Sequence, residues 1–455
     1  MASPKTSQAQ PVIDPALEEQ RLTTLVSDII DEARKQGASA CEVGASSDAG
    51  LSTTVRMGEV DTVEFNKDQG FGITVYFGQR KGSASTSDDT PEAIRDTVRA
   101  ACDIARYTSE DNCAGLADAD QMATDFPDLD LYHPWGISAE EAIERAKECE
   151  AAARAVSSKI TNSDGATVNS HQGCRVYGNS HDFIGPHRSS RQSVSAVMIA
   201  QQGDEMQRDY WYSVARDGNK LESMADIGRK AGERTLARLG SRKVPTANVP
   251  VIFSAELAGG FISHMMAAIS GGSLYREASF LLDHLGKKIF PEWVNIYERP
   301  MLKGGMGSVA FDGDGLQTRD QSFITDGMLA SYLLSTYSAR KLGMTSTANA
   351  GGAHNLFIDS NAGDLDSLVK EMDTGLLVTS LIGQGINMVT GDYSRGAGGF
   401  WVENGEIQFP VSEVTIAGNL KDMFMNLRKV GNDIDRRGNI QSGSLLVDGM
   451  MVAGE

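Results

Sequence analysis

The stretch Thr390-Gly-Asp-Tyr-Ser-Arg-Gly-Ala-Gly-Gly-Phe-Trp-Val-Glu-Asn-Gly-Glu-Ile407 gives the clearest structural instruction in the chain. Val402-Glu403 and Glu406-Ile407 flank the pair Asn404-Gly405. Asn-Gly between two such arms predicts a hairpin with a type I′ turn, whose two central residues need positive φ. Glycine is dense around it, at Gly304, Gly305 and Gly307, at Gly351-Gly352, and at Gly396, Gly398 and Gly399, and cysteine is absent from this half. These features predict a Gly-rich, mostly β C-terminal domain over 247–455, with helices near 255–269 and 364–373. The polar stretch 240–250, with Pro245 and Pro250, reads as the linker that precedes it.

Upstream, helices and strands alternate in blocks. Leu22, Leu25, Val26, Ile29, Ile30 and Ala33 form one apolar stripe of a helix from about Pro15 to Gln36, with Asp14 as cap and Gly37 as stop. Strands are expected at 51–57, 60–65 and 71–77, then a helix from Pro91 to about Arg106 carrying Ile94, Val98, Ala101 and Cys102. Residues 108–136 look irregular. Ser138 and Glu141 then form a capping box ahead of Ala142, Ile143, Ala146 and Cys149. Strands near 159–168, 173–179, 190–201 and 206–216 lead to a helix at about 221–239 with Leu221, Met224, Ala225, Leu236 and Leu239. The expected fold class is α+β: a flexible tail at 1–12, two helix–sheet subdomains at 13–110 and 111–240, and then the β-rich domain.

The 455 residues carry 42 Lys+Arg against 61 Asp+Glu, a net charge of −19, with an ordinary 40% hydrophobic and 23% charged content. That balance excludes wholesale disorder, and the acidic surface argues against nucleic-acid binding. No apolar run approaches the roughly 18–20 residues of a membrane helix, and Met1–Gln10 has no signal-peptide pattern, so a cytoplasmic protein without membrane contact is expected. Cys41, Cys102, Cys113, Cys149 and Cys174 show no C-x-x-C spacing and are expected as buried free thiols.

Most catalytic motifs are absent. P-loop, dinucleotide-binding and nucleophile-elbow patterns are absent. Ser338-Ala-Arg-Lys341 fits S-x-x-K without the K-T-G that a serine–lysine hydrolase needs, so a lone non-metal hydrolase has no visible nucleophile–base pair. Asp312-Gly-Asp314-Gly begins like a calcium loop but has no Glu at the twelfth position, and is expected to be a turn. None of the seven histidines lies in H-E-x-x-H, and His181 and His187 are a poor ligand pair. The most informative junction is Pro250–His264, an apolar strand running into a helix with Glu256 in its first turn, where a carboxylate compensates the helix dipole.

At this junction, and in Gly72–Ser85, Gly271–Arg276, Tyr337–Gly343, Thr390–Ile407 and Val430–Ile434, the chain resembles the TldD/PmbA family, and within it the TldE (PmbA) branch. The resemblance covers nearly the whole chain. It implies one subunit of a heteromeric zinc metalloprotease that degrades or trims unfolded peptides and small proteins. The TldD subunits of that family carry H-E-x-x-x-H here and a cysteine near the C-terminus. In this chain the corresponding positions hold Ala255, Glu256, Gly260 and Ser442, so the resemblance implies no metal and no catalytic residue of its own, with Glu256 as the remnant of the general base. Zinc is then expected in a TldD-like partner, with this chain shaping the substrate chamber and able to form a homodimer when alone. Tyr393, Arg395, Gly398, Gly399 and His264 are the expected substrate-groove or interface residues, and strand addition near the Gly-rich loops is the expected mode of peptide capture. The alternative function is a non-proteolytic scaffold or regulator that binds other regulatory proteins.

Overall fold

A computed structural model describes residues 14–454. The expected tail at 1–12 lies outside them. The chain forms two compact units, one of residues up to 236 together with 309–317, the other of 237–308 and 318 onward.

The first unit is built on one antiparallel sheet, ordered β3-β2-β1-β4-β5-β6. Its strands are β1 (Ala40–Arg56), β2 (Glu59–Phe77), β3 (Arg80–Thr86), β4 (Ile160–Asn179), β5 (Phe183–Gln202) and β6 (Glu205–Ala215). The two expected helix–sheet blocks are therefore halves of a single sheet, joined where β1 pairs with β4 from Glu42↔Asn179 to Val55↔Ala166. Helices α1 (Pro15–Lys35) and α2 (Pro91–Tyr107) pack on one half, burying Leu22, Val26, Ile29, Ile94 and Val98 against Val43, Phe71, Ile73 and Val75. Asp14 caps α1, accepting from the backbone N–H of Ala16 and Leu17. On the other half, α3 (Ala139–Ala155) starts with both hydrogen bonds of its Ser138–Glu141 capping box.

Two features of this unit go beyond the sequence pattern. Residues 80–86 form a strand, with Gly82 so close to α2 that a Cβ there would overlap the Ala101 carbonyl and the Ala105 amide. The fourth helix, α4 (Met224–Ala237), does not bury the expected leucines. Its packed face is Ile227, Gly228, Ala231, Gly232 and Thr235, because Gly228 and Gly232 let its backbone meet the end of α3 at Cys149 and Ala153. Cys41, Cys102, Cys149 and Cys174 are buried free thiols, whereas Cys113 is only half-buried.

The second unit contains β7 (Ala247–Phe253), α5 (Ala255–Ala268), α6 (Gly271–Tyr275), β8 (Ile296–Glu298), β9 (Gln321–Thr325), β10 (Met328–Leu329), α7 (Thr336–Leu342), β11 (Leu356–Ile358) and α8 (Leu365–Met372). It continues with β12 (Gly375–Ile382), β13 (Asp392–Glu403), β14 (Glu406–Asn419), α9 (Leu420–Met425), β15 (Leu427–Val430), β16 (Ile440–Gln441) and β17 (Leu445–Ala453). One sheet runs β14-β13-β12-β7-β17-β15 and closes on itself where β14 also pairs with β17. A second runs β10-β9-β8-β11-β16. The apolar side of α5, with Ala258, Phe261, Ile262, Met265 and Met266, fills the main core, while α8 covers a smaller cluster of Ile252, Leu377, Val402 and Leu446. The Asn404-Gly405 turn has φ of 54° and 72°, the two positive values of type I′. The proline-containing 240–250 stretch is anchored rather than loose: the Arg242 amide donates to Pro410 at 2.9 Å and Val244 is buried.

Candidate functional site

Strand β7 fixes the start of α5. It lies between β12 and β17, and the Ser254 amide at its end donates to the Val378 carbonyl at 3.1 Å. The first turn of α5 therefore has one position and direction. Glu256 projects from it toward Arg437, with 4.0 Å between Oε1 and Nη2. Arg437 also grips Asp435 through two parallel bonds of 2.9 Å, from Nε to Oδ1 and from Nη2 to Oδ2. Burial pushes the Asp435 carboxyl up, but its hydrogen bonds and charge contact with Arg437 outweigh this and hold it below the usual carboxylate range. All three groups are largely buried, at 24% exposure or less.

The segment that carries Arg437 also carries Ser442. The Asp435 amide donates to the Ser442 carbonyl at 3.0 Å, and Ile440 lies against Gly259 of α5. The structure thus sets the 435–442 loop against the first turns of α5, where Ala255, Glu256 and Gly260 stand. A divalent metal does not fit this donor set. Ala255 presents a methyl group and Gly260 a hydrogen, and the buried Ser442 hydroxyl donates to the Gly443 carbonyl at 2.8 Å. A guanidinium stands beside Glu256, where a cationic metal would be repelled. Among the described residues no group of three or more His, Cys, Asp or Glu side chains is placed to hold a metal ion.

Of the five expected groove residues, three come together. His264, at the i+8 position from Glu256 on α5, meets the Tyr393 ring edge to face with centroids 6.0 Å apart. Burial, reinforced by Arg395, pushes the His264 imidazolium down, so the ring is neutral at pH 7. Burial also pushes the Tyr393 hydroxyl up to about 12, although Arg395 pulls it the other way. Gly398 and Gly399 are buried and serve packing. A Cβ at Gly399 would overlap the Leu377 carbonyl of β12, and one at Gly398 would crowd the Ser380 hydroxyl that Arg238 holds at 3.2 Å. Strand addition at β13 is closed off as well, because β12 and β14 flank it on both sides.

A second polar cluster has no signature in the sequence. Glu298, 1% exposed, accepts from Gln321 Nε2 at 2.6 Å, Asn349 Nδ2 at 2.8 Å, and the His354 amide and Nδ1 at 2.9 and 3.2 Å. Burial alone would raise this carboxyl, but the His354 contacts and the Gln321 bond together hold it low. Asn439, just ahead of Ile440, donates to the Ala353 and His354 carbonyls at 3.1 Å, so the cluster braces the loop that faces α5. Its members lie up to 56 residues apart, beyond the reach of any local pattern. The S-x-x-K motif is structural: Ser338 closes the capping box of α7 with Ser335, and the Lys341 ammonium sits over the Tyr337 ring. The Asp312 carboxylate accepts from the amides of Asp314 and Leu316 at 3.0 Å, as a turn does.

Comparison with known proteins covers almost the whole chain. Family models described as PmbA/TldA metallopeptidase domain 1, central domain and C-terminal domain match residues 41–105, 132–239 and 246–454. The chain is 52% identical over 414 residues to Metalloprotease PmbA of Escherichia coli O157:H7, covering 91% of this chain and 92% of that one. It is 50% identical over 438 residues to a Metalloprotease PmbA homolog of Haemophilus influenzae, covering 96% and 97%. A solved structure from Bacteroides thetaiotaomicron with a gyrase-modulator label superposes with a TM-score of 0.90 at 29% identity, over 95% of this chain and 98% of that one. The fold is also that of TldE from Thermococcus kodakarensis, with a TM-score of 0.83 at 20% identity, over 94% and 100%.

Proposed function

The chain belongs to the TldD/PmbA metallopeptidase family, on its TldE (PmbA) branch, and from that premise we propose that it is the metal-free subunit of a two-subunit zinc peptidase. Its relatives are metalloproteases, so the peptidase class comes with the family. The observation that carries the finer reading is the Glu256–Arg437–Asp435 arrangement beside Ala255, Gly260 and Ser442. The fold keeps the general-base position, but a guanidinium stands beside it, and among the described residues no set of His, Cys, Asp or Glu side chains is placed there to hold a metal.

Hydrolysis then belongs to a TldD-like partner, where a zinc ion supplies a bound water with a pKa near 7. This chain holds the partner in place and supplies part of the wall of a chamber for peptides or unfolded proteins. The pair would work in the cytoplasm as a heterodimer, and this chain alone would form a homodimer through the equivalent surface. Support for a soluble setting is that no described helix is long and apolar enough to cross a membrane. His264 and Arg395 are the groups best placed to face substrate, one neutral and one cationic.

The test mixes the purified chain with a TldD-like subunit and follows cleavage of a fluorogenic peptide. The mixture should cleave, each chain alone should not, and a strong chelator should abolish the activity. Chelator-sensitive cleavage by this chain alone would overturn the proposal.

A further inference from the structure

The sheet of the first unit has one face under α1 and α2. Its other face forms the floor of a cavity of about 1010 Å³, roofed by Phe311, Asp312 and Gly313. Pairing across the strands fixes what that floor presents. One row reads Ser85, Gly72, Gly44, Tyr177, Gly185, and the next includes Gly70, Ser46, Arg175 and His187. The half made by β1, β2 and β3 is therefore bare backbone with small hydroxyls, and the half made by β4 and β5 carries an aromatic ring, a cation and an imidazole.

Gly185 is required by the Phe311 ring above it, but three other glycines of this floor, Gly44, Gly70 and Gly72, have no internal explanation. A Cβ at Gly44 would meet nothing within 4 Å, one at Gly72 only the Gly44 carbonyl at 3.9 Å, and one at Gly70 only the Ser46 hydroxyl at 3.7 Å. None of the three takes a positive φ. Glycine inside a strand costs stability, and where neither packing nor backbone geometry demands it, it marks close approach by another molecule. Arg175 adds a second, independent sign. In a chain of net charge −19 its guanidinium has no hydrogen bond or ion pair among the described residues. The carboxylate on the roof, Asp312, is engaged by its own turn. Beside Arg175, burial together with Arg216 and Arg175 pushes His187 down to about 4, leaving a neutral ring with an N–H to donate. Tyr177 is held by its hydroxyl on Glu42 at 3.0 Å, so its ring forms a fixed apolar wall.

We propose that this cavity binds the carboxy-terminal end of a peptide: the terminal carboxylate on Arg175 and His187, the last side chain against Tyr177 and Phe311, and the preceding backbone over Gly44 and Gly72. The volume suits several residues rather than one, being at the upper end of the roughly 300–1,000 Å³ of small-molecule sites. The site would favour free chain ends over internal segments. It rests on the peptide-processing function proposed above and names the feature of the substrate that this chain reads.

The test is fluorescence polarisation with the full chain and a fluorescein-labelled, alanine-rich hexapeptide ending in leucine, as the free acid and as the C-terminal amide. The acid should bind saturably and about tenfold or more tighter than the amide, as expected for loss of a charge-assisted pair. Arg175→Gln should erase that preference. Gly72→Val should weaken both peptides without lowering Tm, since its Cβ enters open space and valine favours a strand. Equal binding of acid and amide, an unchanged preference in Arg175→Gln, or no saturable binding up to millimolar chain would each overturn the assignment. The readout is binding by this chain alone, so its failure is separate from failure of the cleavage assay with a partner.

Discussion

Glu298→Ala removes the acceptor at the centre of the cluster that braces the 435–442 loop. Four hydrogen bonds end on that carboxylate, but they are not equal losses. Gln321 Nε2 also reaches the Thr347 carbonyl at 3.0 Å and Asn349 Oδ1 at 2.8 Å, and Asn349 Nδ2 reaches the Gly352 carbonyl at 3.3 Å. The His354 amide and Nδ1–H have Glu298 as their acceptor and are left buried without it. An orphaned buried donor costs about 1–3 kcal/mol, so two of them together with two weakened amides give about 3–4 kcal/mol. Urea unfolding followed by circular dichroism, fitted with separate transitions for the two units, measures this. The pH dependence has a fixed sign. The folded-state pKa of Glu298 is depressed, so its contribution is fully present above the unfolded value of about 4.3 and is lost as pH falls through the lower folded value. The gap between wild type and Glu298→Ala should accordingly be constant near pH 7 and narrow below about pH 4. A loss under 1 kcal/mol at pH 7, or a gap that widens in acid, would mean that the ionised Glu298 is not what holds this cluster together.

Two further outcomes follow from the packing. Gly228→Val forces a side chain into the Cys149 carbonyl and should cost about 1–3 kcal/mol or more, with the first unit's thermal transition moving down and the second unit's unchanged. Ser338→Ala removes one half of a capping box and should cost about 1 kcal/mol, while peptide cleavage by the assembled pair stays within about twofold, because this serine caps a helix and attacks nothing.

What the sequence made legible was local and periodic. The apolar stripe of α1 with its Asp14 cap, the Ser138–Glu141 box and the Asn404-Gly405 turn each state their structure within a few residues. The strands are longer than local composition predicts. β2 runs unbroken through Asn66-Lys-Asp-Gln-Gly70, which has turn composition but stays extended because β1 pairs with it throughout. Gly228 and Gly232 are invisible to a search for apolar faces, because close helix approach needs the absence of a side chain. At the site, Ala255, Glu256 and Gly260 are placed by resemblance to the H-E-x-x-x-H of the family's TldD subunits, and Ser442 by resemblance to their C-terminal cysteine, with no motif around it. Arg437 was not legible, since an arginine in a charged loop has no pattern that reveals which carboxylate it will meet. Gly398 and Gly399 looked like a groove in one dimension and turned out to be strand packing in three.

The most direct test of the account is zinc content by atomic emission, on the tag-free chain alone and on its purified complex with a TldD-like subunit. The isolated chain should hold well below one equivalent, before and after zinc is added and dialysed away, and the complex one equivalent per pair. One equivalent of tightly held zinc in the isolated chain would contradict the account.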